Sequence, residues 1–157
     1  MTADGRNAAH CSVVSIGGAG VLIEGGPGAG KTSLALGLID TALARGLEAA
    51  MVADDRALLA RRDGGVFARA PASIAGLAEI RGYGIARMAS LPEVAVRLVA
   101  RLVEDETIER MPEAATVELN GVDIPLLRLP ARHEAQGVRI VLAFLAEGGI
   151  STAGDNA

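Results

Sequence analysis

Apolar residues near the start of the chain change their spacing at a glycine-rich segment. Residues Ser12–Ile16 and Val21–Glu24 are short, β-branched and apolar, with two glycines between them, which predicts two strands joined by a tight turn. In Thr32–Ala44 the apolar residues recur at helical spacing, and Gly46 is a typical helix stop. Ala49–Ala53 is a further apolar run that ends at two aspartates, as expected of a central strand running beside Val21–Glu24. Together these segments predict a βαβ-like unit.

The middle of the chain is predicted to be rich in strands. Ala57–Ala60 and Val66–Ala70 carry short apolar strand signals on either side of a glycine turn, and a glycine-rich passage follows at 76–84. The apolar residues of Val94–Leu102 alternate with period two, although a helical face is also compatible with them. We therefore expect a strand there.

The last third of the chain predicts a hairpin followed by a helix. Asn120-Gly121 stands between two apolar runs, which is the strongest short-range signal for a type I′ turn. Pro125 has no N–H to give to a neighbour, so we expect the second strand of this hairpin at an edge of the sheet. From about Glu134 to Ala146 one face is apolar, and this predicts a C-terminal helix.

Composition excludes several classes of protein. The 157 residues are 50% apolar and 22% charged, which is enough for a buried core, and we expect one domain over residues 1–157. A net charge of −4 and only three aromatic residues argue against nucleic acid as a partner. No long uncharged apolar stretch is present and the first ten residues lack a signal-peptide core, which predicts a cytoplasmic protein without membrane association. The lone Cys11 allows no internal disulfide and is expected to be a small core residue.

One segment matches the phosphate-binding pattern G-x-x-x-x-G-K-[ST] at every fixed position. Its glycines allow backbone N–H groups to surround phosphate oxygens, and the following helix adds its N-terminal dipole. Lys31 would reach the terminal phosphates, and the hydroxyl of Thr32 would bind Mg²⁺. We therefore predict that this segment binds a nucleotide or polyphosphate. It consists of Gly25, Gly26, Pro27, Gly28, Ala29, Gly30, Lys31 and Thr32.

The lysine content narrows the class of phosphate-binding protein. Lys31 is the only lysine among fifteen basic residues. GTPases of the Ras type recognise guanine with an Asn-Lys-x-Asp element, which this chain cannot form without a second lysine. The Leu-Ser-Gly-Gly-Gln element of transporter ATPases is also missing. Kinases of small molecules stay open, because their lid arginines have no strict spacing.

Four further residues are candidates for chemistry. Asp54 and Asp55 end an apolar strand, where one carboxylate could face Mg²⁺ and the other could serve as a general base; a solvated turn is the alternative. His10 precedes the first strand and could return beside the phosphate loop, or be an exposed terminal histidine. Glu79 lies in an unusual acid-base-glycine segment, Glu79–Gly84, which the residues alone leave open as either a loop or a site.

These elements in this order resemble the catalytic domain of the HPr kinase/phosphorylase family. The resemblance runs nearly end to end, in the short form, associated with α-proteobacteria, that lacks the N-terminal domain. It rests on His10, the phosphate loop, Val52–Asp55 and Ala78–Ile85. It implies an α/β fold, namely a P-loop domain of the phosphoenolpyruvate-carboxykinase-like type. Such a domain has a mixed, β-rich sheet, a P-loop helix and a C-terminal helix.

The resemblance also implies an activity. The family phosphorylates a serine of the phosphocarrier protein HPr with ATP or pyrophosphate and Mg²⁺, and many members reverse the reaction with phosphate. A homo-oligomer, commonly a hexamer, is implied as well. Two other functions stay open: a P-loop kinase of a small metabolite, and a nucleotide-sensing regulatory module without catalytic turnover.

Site residues follow from the resemblance by position. Asp55 would be the base that accepts the seryl proton, and Lys31 would bind phosphate. The metal side would be formed by Thr32, Asp54 and Glu79.

The resemblance also implies roles for two further residues and for the loop before the last helix. His10 would approach them, and Arg110 would match a catalytic arginine of the family. The family's arginine- and proline-rich loop before the last helix is shortened to Pro130–Glu134, in which Arg132 keeps one arginine while the second proline is missing. This departure bears on the phosphorylase direction and leaves the kinase direction untouched.

Overall fold

The computed structural model describes residues 8–149, which form eleven strands and two α-helices. The helices are α1 (Lys31–Ala44) and α2 (Glu134–Phe144), and α2 continues into a single wide turn at Leu145–Gly149. The strands are β1 (Ala8–Ala9), β2 (Ser12–Ile16), β3 (Ala19–Glu24), β4 (Ala49–Ala53), β5 (Ala57–Arg62), β6 (Gly65–Arg69), β7 (Leu77–Ile80), β8 (Gly84–Arg87), β9 (Val94–Val103), β10 (Ala115–Leu119) and β11 (Val122–Pro130).

Nine of the strands belong to one mixed sheet. Seven of them lie in the order β1-β5-β6-β9-β3-β2-β4, and β11 and β10 branch from β9. The ten-residue strand β9 forks the sheet: its first residues pair with β6, and Val99–Val103 pair in parallel with β11, which in turn carries β10. The strands β7 and β8 form a separate hairpin. No helix among residues 8–149 is long and apolar enough to cross a membrane.

Strand direction gathers the functional loops at one edge of the sheet. Strands β3, β9 and β11 are parallel, and β4 has the same direction because both β3 and β4 pair antiparallel with β2. The connections that follow β3, β4, β9 and β11 therefore leave the sheet at a common edge. The N-terminal end of β2 lies at this same edge.

Alternation along the strands divides the core between the two faces of the sheet. On β2, Val14 and Ile16 face the helices, whereas Val13 faces the opposite cluster. The helical face is filled by residues such as Leu34, Leu38 and Val141, all buried. Burial of these side chains is the main favourable contribution to the position of α1 and hence of the loop that precedes it.

Most predicted elements are confirmed. The chain has strands at Ser12–Ile16 and Ala49–Ala53, a strand rather than a helix at Val94–Val103, and a C-terminal helix from Glu134. The Asn120-Gly121 turn has positive φ at both residues, 51° and 82°, as a type I′ turn requires.

Two predicted strand positions are wrong. Ala49–Ala53 is not a central strand beside β3 but the edge strand β4, separated from β3 by β2. β11 is not an edge strand, since it lies between β10 and β9. Pro125 is accommodated because pairing with β9 begins at Leu126, so the residues up to the proline have a partner on one side only.

Candidate active site around the phosphate loop

The phosphate loop joins the end of β3 to the first residue of α1. Gly28 and Gly30 have φ of 77° and 99°, which is the left-handed backbone that glycine adopts without strain. Lys31 is the first residue of α1, and its Nζ donates hydrogen bonds to the carbonyls of Gly25 at 3.0 Å and Gly26 at 3.3 Å. The only cation of the loop is thus folded over it, above a helix N-terminus whose dipole favours anions.

Asp54 is buried and held by three hydrogen bonds. Its Oδ1 accepts from the hydroxyls of Ser12 at 2.7 Å and Thr32 at 2.8 Å, and its Oδ2 accepts from the backbone N–H of Glu79 at 3.2 Å. Only 5% of Asp54 is exposed. Buried carboxylates need such donors, and three donors from three elements fix this one in a single orientation.

The position of Ser12 follows from the strand register. Val13 pairs with Ala53, so Ser12 lies beside the end of β4, where Asp54 leaves the sheet. Ser12 itself is fully buried. Sequence reasoning did not assign it a role, because one serine at the start of an apolar strand carries no motif or spacing signal.

Asp55 is in a different environment from its neighbour. It is exposed and has φ of 72°, a left-handed conformation that aspartate tolerates better than most residues. It lines a cavity of about 310 Å³, which we call the Asp55 cavity, together with Lys31, Thr32 and Glu79. The two adjacent carboxylates thus differ in environment: Asp54 is fixed and buried, and Asp55 faces the cavity. Their roles at the metal and as the base stay predictions.

The β7–β8 hairpin closes one side of this cavity. Glu79 is an exposed residue on β7 whose backbone is tied to Asp54, and Arg81 follows at the tip of the hairpin. Arg81 lines the Asp55 cavity too, although no role was predicted for it. The Glu79–Gly84 segment thus lies beside the phosphate loop, and its part in the chemistry stays a prediction.

The oxygen atoms at this place suit Mg²⁺. The Thr32 hydroxyl and Asp54 Oδ1 lie 2.8 Å apart, and the carboxylates of Asp55 and Glu79 line the same cavity. Mg²⁺ prefers such oxygen ligands and usually combines one or two carboxylates with phosphate oxygens and water. Within residues 8–149, no three His, Cys, Asp or Glu side chains cluster as a metal site. An ion here would therefore need the threonine and donor phosphates as well.

A second cavity, of about 330 Å³, lies against the loop that leads into α2. We call it the Glu134 cavity; it shares Gly28, Gly30, Ser33 and Arg81 with the first. Its remaining lining residues include Leu34, Leu102, Pro130, Arg132, His133, Glu134 and Gly137.

The loop before α2 is bonded to the phosphate loop. The backbone N–H of Arg132 donates to the carbonyl of Ala29 at 2.9 Å, and Ala131 donates to Val103 at 2.8 Å. Arg132 has φ of 63°, and its guanidinium pairs with Glu104 at 2.9 Å. Because Arg132 is tied to Ala29 through its backbone, this contact does not depend on its side chain.

Two predicted site residues lie at the correct edge without lining either cavity. His10 is exposed between β1 and β2, two residues before Ser12. Arg110 is exposed in the connection between β9 and β10. Their roles at the phosphates stay predictions.

Cys11 is packed next to Ser12 and plays no part in the chemistry as a thiolate. The pKa of its thiol is raised from 9.0 to about 12, mainly by burial; the charges of Glu24 and Asp55 contribute in the same direction, and Lys31 opposes them. The thiol is therefore protonated at neutral pH, and the expectation of a small buried residue is confirmed.

Comparison with known proteins shows what the chain is similar to. The family model for the HPr Serine kinase C-terminal domain matches residues 3–156. An HPr kinase/phosphorylase of Streptococcus thermophilus is 37% identical over 153 aligned positions, covering 90% of this chain, and one of Lactobacillus acidophilus is 33% identical over the same length. The solved Hpr(Ser) kinase/phosphatase from Coxiella burnetii superimposes with a TM-score of 0.76 at 25% identity, over 90% of this chain and 98% of that one.

The alignments cover most of this chain but a smaller share of the curated relatives. The alignments cover 47% of the Streptococcus thermophilus protein and 45% of the Lactobacillus acidophilus protein, so the chain spans about half the length of the curated relatives it matches. Within this span the expected fold class is confirmed, with its mixed β-rich sheet, its P-loop helix and its C-terminal helix. The chain belongs to the HPr serine kinase C-terminal domain family.

Proposed function

We propose that this chain is an ATP-dependent kinase that phosphorylates a serine of the phosphocarrier protein HPr or a paralogue. The observation that carries the proposal is the pair Asp54 and Asp55 beside Lys31. The first carboxylate is fixed on Thr32 by a 2.8 Å hydrogen bond, and the second is open to the same cavity. A protein kinase needs this separation, since one carboxylate must serve the metal and another the acceptor hydroxyl.

The donor would be held by the phosphate loop. The backbone of Gly25–Gly30 would surround the phosphates of ATP, and Lys31 would exchange its two carbonyl partners for phosphate oxygens. Thr32, Asp54 and Glu79 would hold Mg²⁺, which supplies neutralisation of the charge that develops on the transferred group. Asp54 enters this role already oriented by Ser12.

Asp55 would act on the acceptor. Its carboxylate accepts the seryl proton as the serine oxygen bonds to the γ-phosphorus and the bond to the leaving ADP oxygen breaks. In the reverse direction the protonated Asp55 would return the proton to the serine oxygen. We assign His10 and Arg110 to the phosphates on the strength of their position at the same edge of the sheet.

The family supports three further parts of the proposal. Pyrophosphate is a second donor, and phosphate reverses the reaction to give pyrophosphate. The protein acts in the cytoplasm as a homo-oligomer, a hexamer in the form that the resemblance implies. The reverse direction is the part on which the Pro130–Glu134 segment bears, since it keeps one arginine of the family's loop and lacks its second proline.

The experiment that tests the acceptor class is ADP formation from Mg-ATP with three additions: HPr, a panel of low-molecular-weight hydroxyl compounds, and buffer alone. We expect ADP release to be stimulated by HPr and not by the panel. Stimulation by a small hydroxyl compound alone would identify a metabolite kinase. ATP binding without ADP release under any condition would identify a regulatory module.

A further inference from the structure

The ion pair between Arg132 and Glu104 joins the loops that follow β11 and β9. Nη2 of Arg132 donates to Oε1 of Glu104 at 2.9 Å. Strand register brings the two residues together, because Pro130 pairs with Val103 at the ends of these parallel strands. Since β3 is parallel to β9 as well, the ion pair lies at the edge of the sheet where the phosphate loop begins.

Both residues of the pair have a fixed backbone and an exposed side chain. The N–H of Arg132 donates to the carbonyl of Ala29 in the phosphate loop at 2.9 Å. The carbonyl of Glu104 accepts from the N–H of Thr107 at 3.0 Å and from its hydroxyl at 2.8 Å. The side chains of Arg132 and Glu104 are 55% and 60% exposed. Exposed ion pairs are weak, so the guanidinium can change partners while both backbones stay in place.

Arg132 also borders the Glu134 cavity, whose charges favour an anion. The charged and titratable residues that line this cavity beside the phosphate loop are Arg81, Arg132, His133 and Glu134. A β-carbon at Gly37 of α1 would collide with the carboxylate of Glu134, and Gly37 does not line the cavity. The one carboxylate of the lining is therefore turned toward α1, whereas two guanidinium groups lie beside the loop.

Glu104 and a phosphate group compete for the same guanidinium. Arginine binds phosphate oxygens through the N–H donors with which it binds a carboxylate. Glu104 uses one of these donors of Arg132, and its charge lowers the positive potential that an anion in the cavity meets. Arg81 forms no ion pair within residues 8–149. The competition therefore concerns one of the two arginines that line the cavity.

From these observations we propose that Glu104 is an internal competitor of phosphate anions for Arg132. Its carboxylate holds the guanidinium until a phosphate group bound at the loop displaces it. Glu104 thereby raises the concentration of a phosphate anion that is needed to occupy the loop, although it lines neither cavity itself. This proposal rests on the proposed function, since it takes the phosphate loop as the site of the donor phosphates.

Calorimetric titration of the full chain with magnesium pyrophosphate tests the competition. This probe carries two phosphate groups and no nucleoside, so its affinity reports on the loop and the arginines beside it. Glu104→Gln removes the charge and keeps the shape of the side chain. The substitution should raise the affinity for pyrophosphate about two- to fivefold, which is the range that one exposed ion pair provides.

Two comparisons relate the gain to the ion pair. Glu106→Gln changes the net charge equally, at an exposed glutamate of the same segment that forms no ion pair in the described part of the chain. Its effect should stay within about 1.5-fold, because salt screens charges that make no direct contact. Arg132→Gln should lower the affinity, and adding Glu104→Gln to it should change the affinity by at most about 1.5-fold, as expected of two residues that act through one contact.

Three results would overturn the competition and leave the proposed function standing. The first is an unchanged affinity for pyrophosphate in Glu104→Gln. The second is an equal gain in Glu104→Gln and Glu106→Gln, which would show an effect of net charge alone. The third is the same gain from Glu104→Gln with and without the guanidinium of Arg132. Failure of the unaltered chain to bind either magnesium pyrophosphate or magnesium ATP would overturn the proposed function together with the competition.

Discussion

The hydroxyl of Ser12 donates a 2.7 Å hydrogen bond to Oδ1 of Asp54, 42 residues further along the chain. The same oxygen accepts from Thr32 at the start of α1. Through this one atom, the first residue of β2, the end of β4 and the phosphate-loop helix are joined. The site is therefore rigid on the side proposed for the metal and open on the side of Asp55.

Ser12→Ala should show how much of that rigidity depends on the buried hydroxyl. Loss of a hydrogen bond to a buried carboxylate is expected to lower the free energy of unfolding by about 1.5–3 kcal/mol. It should also raise the Mg²⁺ concentration needed for half-maximal activity, because Asp54 is held less firmly. Denaturant unfolding and a magnesium titration measure the two effects.

Ser15→Ala is the matched control for Ser12. Ser15 is a buried serine of the same strand on the opposite face of the sheet, and it makes no hydrogen bond to Asp54. Its replacement should leave the magnesium requirement unchanged. An equal rise in both variants would show that the effect comes from β2 as a whole and not from the Ser12 hydroxyl.

Asp55→Asn should separate transfer from binding. Asparagine tolerates the left-handed conformation of this position and keeps the shape of the side chain, but it cannot accept a proton. We expect transfer to fall about 10²–10⁴-fold with ATP affinity unchanged.

Asp54→Asn, at the adjacent aspartate, is the comparison. It should weaken magnesium-dependent binding of the donor and lower the free energy of unfolding. Single-turnover phosphorylation and ATP titration resolve the two variants. A loss of ATP affinity in Asp55→Asn would contradict the role of base.

Lys31→Ala should abolish nucleotide-dependent phosphorylation while the fold is retained. The hydrogen bonds of the lysine side chain go to two loop carbonyls, so the free energy of unfolding should change by less than about 1 kcal/mol. Arg45→Ala, an exposed cation at the other end of α1, serves as control and should be fully active. Normal turnover in Lys31→Ala would contradict the assignment of the loop as the binding site of the donor phosphates.

Cys11 should make stability fall at high pH. Burial raises the pKa of this thiol from 9.0 to about 12, so the folded state retains a proton that the unfolded state loses. The contribution is fully present below pH 9 and is lost as the pH rises toward 12, by up to about 1.4 kcal/mol per pH unit.

The difference in unfolding free energy between the unaltered chain and Cys11→Ala isolates this contribution between pH 7 and 11, because other titrating groups cancel. That difference should be constant below pH 9 and change above it. A flat difference throughout would mean that the thiol is not buried in solution. Iodoacetamide should likewise fail to modify the folded protein at pH 8.

Local chemistry made the loop and most elements predictable. The glycine pattern of the phosphate loop, the helical spacing after it and the Asn120-Gly121 turn each depend on residues close in sequence. The adjacency of Asp54 and Asp55 to this loop was predictable as well, since both follow a strand parallel to β3.

Sheet order was less predictable, because it depends on pairing between distant segments. Nothing in Ala49–Ala53 shows that β2 comes between it and β3, so the strand was expected at the centre and lies at the edge. Pro125 likewise indicated correctly that one side of the strand is unpaired at the proline. The prediction that β11 lies at an edge of the sheet was wrong, because β11 pairs with β9 from the next residue on. Ser12 was missed for the same reason: its role arises from Asp54, which the fold brings to it.

The most direct measurement is the intact mass of HPr after incubation with this protein and Mg-ATP, followed by addition of phosphate. We predict a gain of one phosphoryl group on a serine of HPr, absent with Lys31→Ala. Its loss on adding phosphate, with release of pyrophosphate, would establish the reverse direction despite the shortened Pro130–Glu134 loop, and a stable gain would define a one-way kinase. An unchanged HPr mass, with ATP shown to be bound, would contradict the central claim.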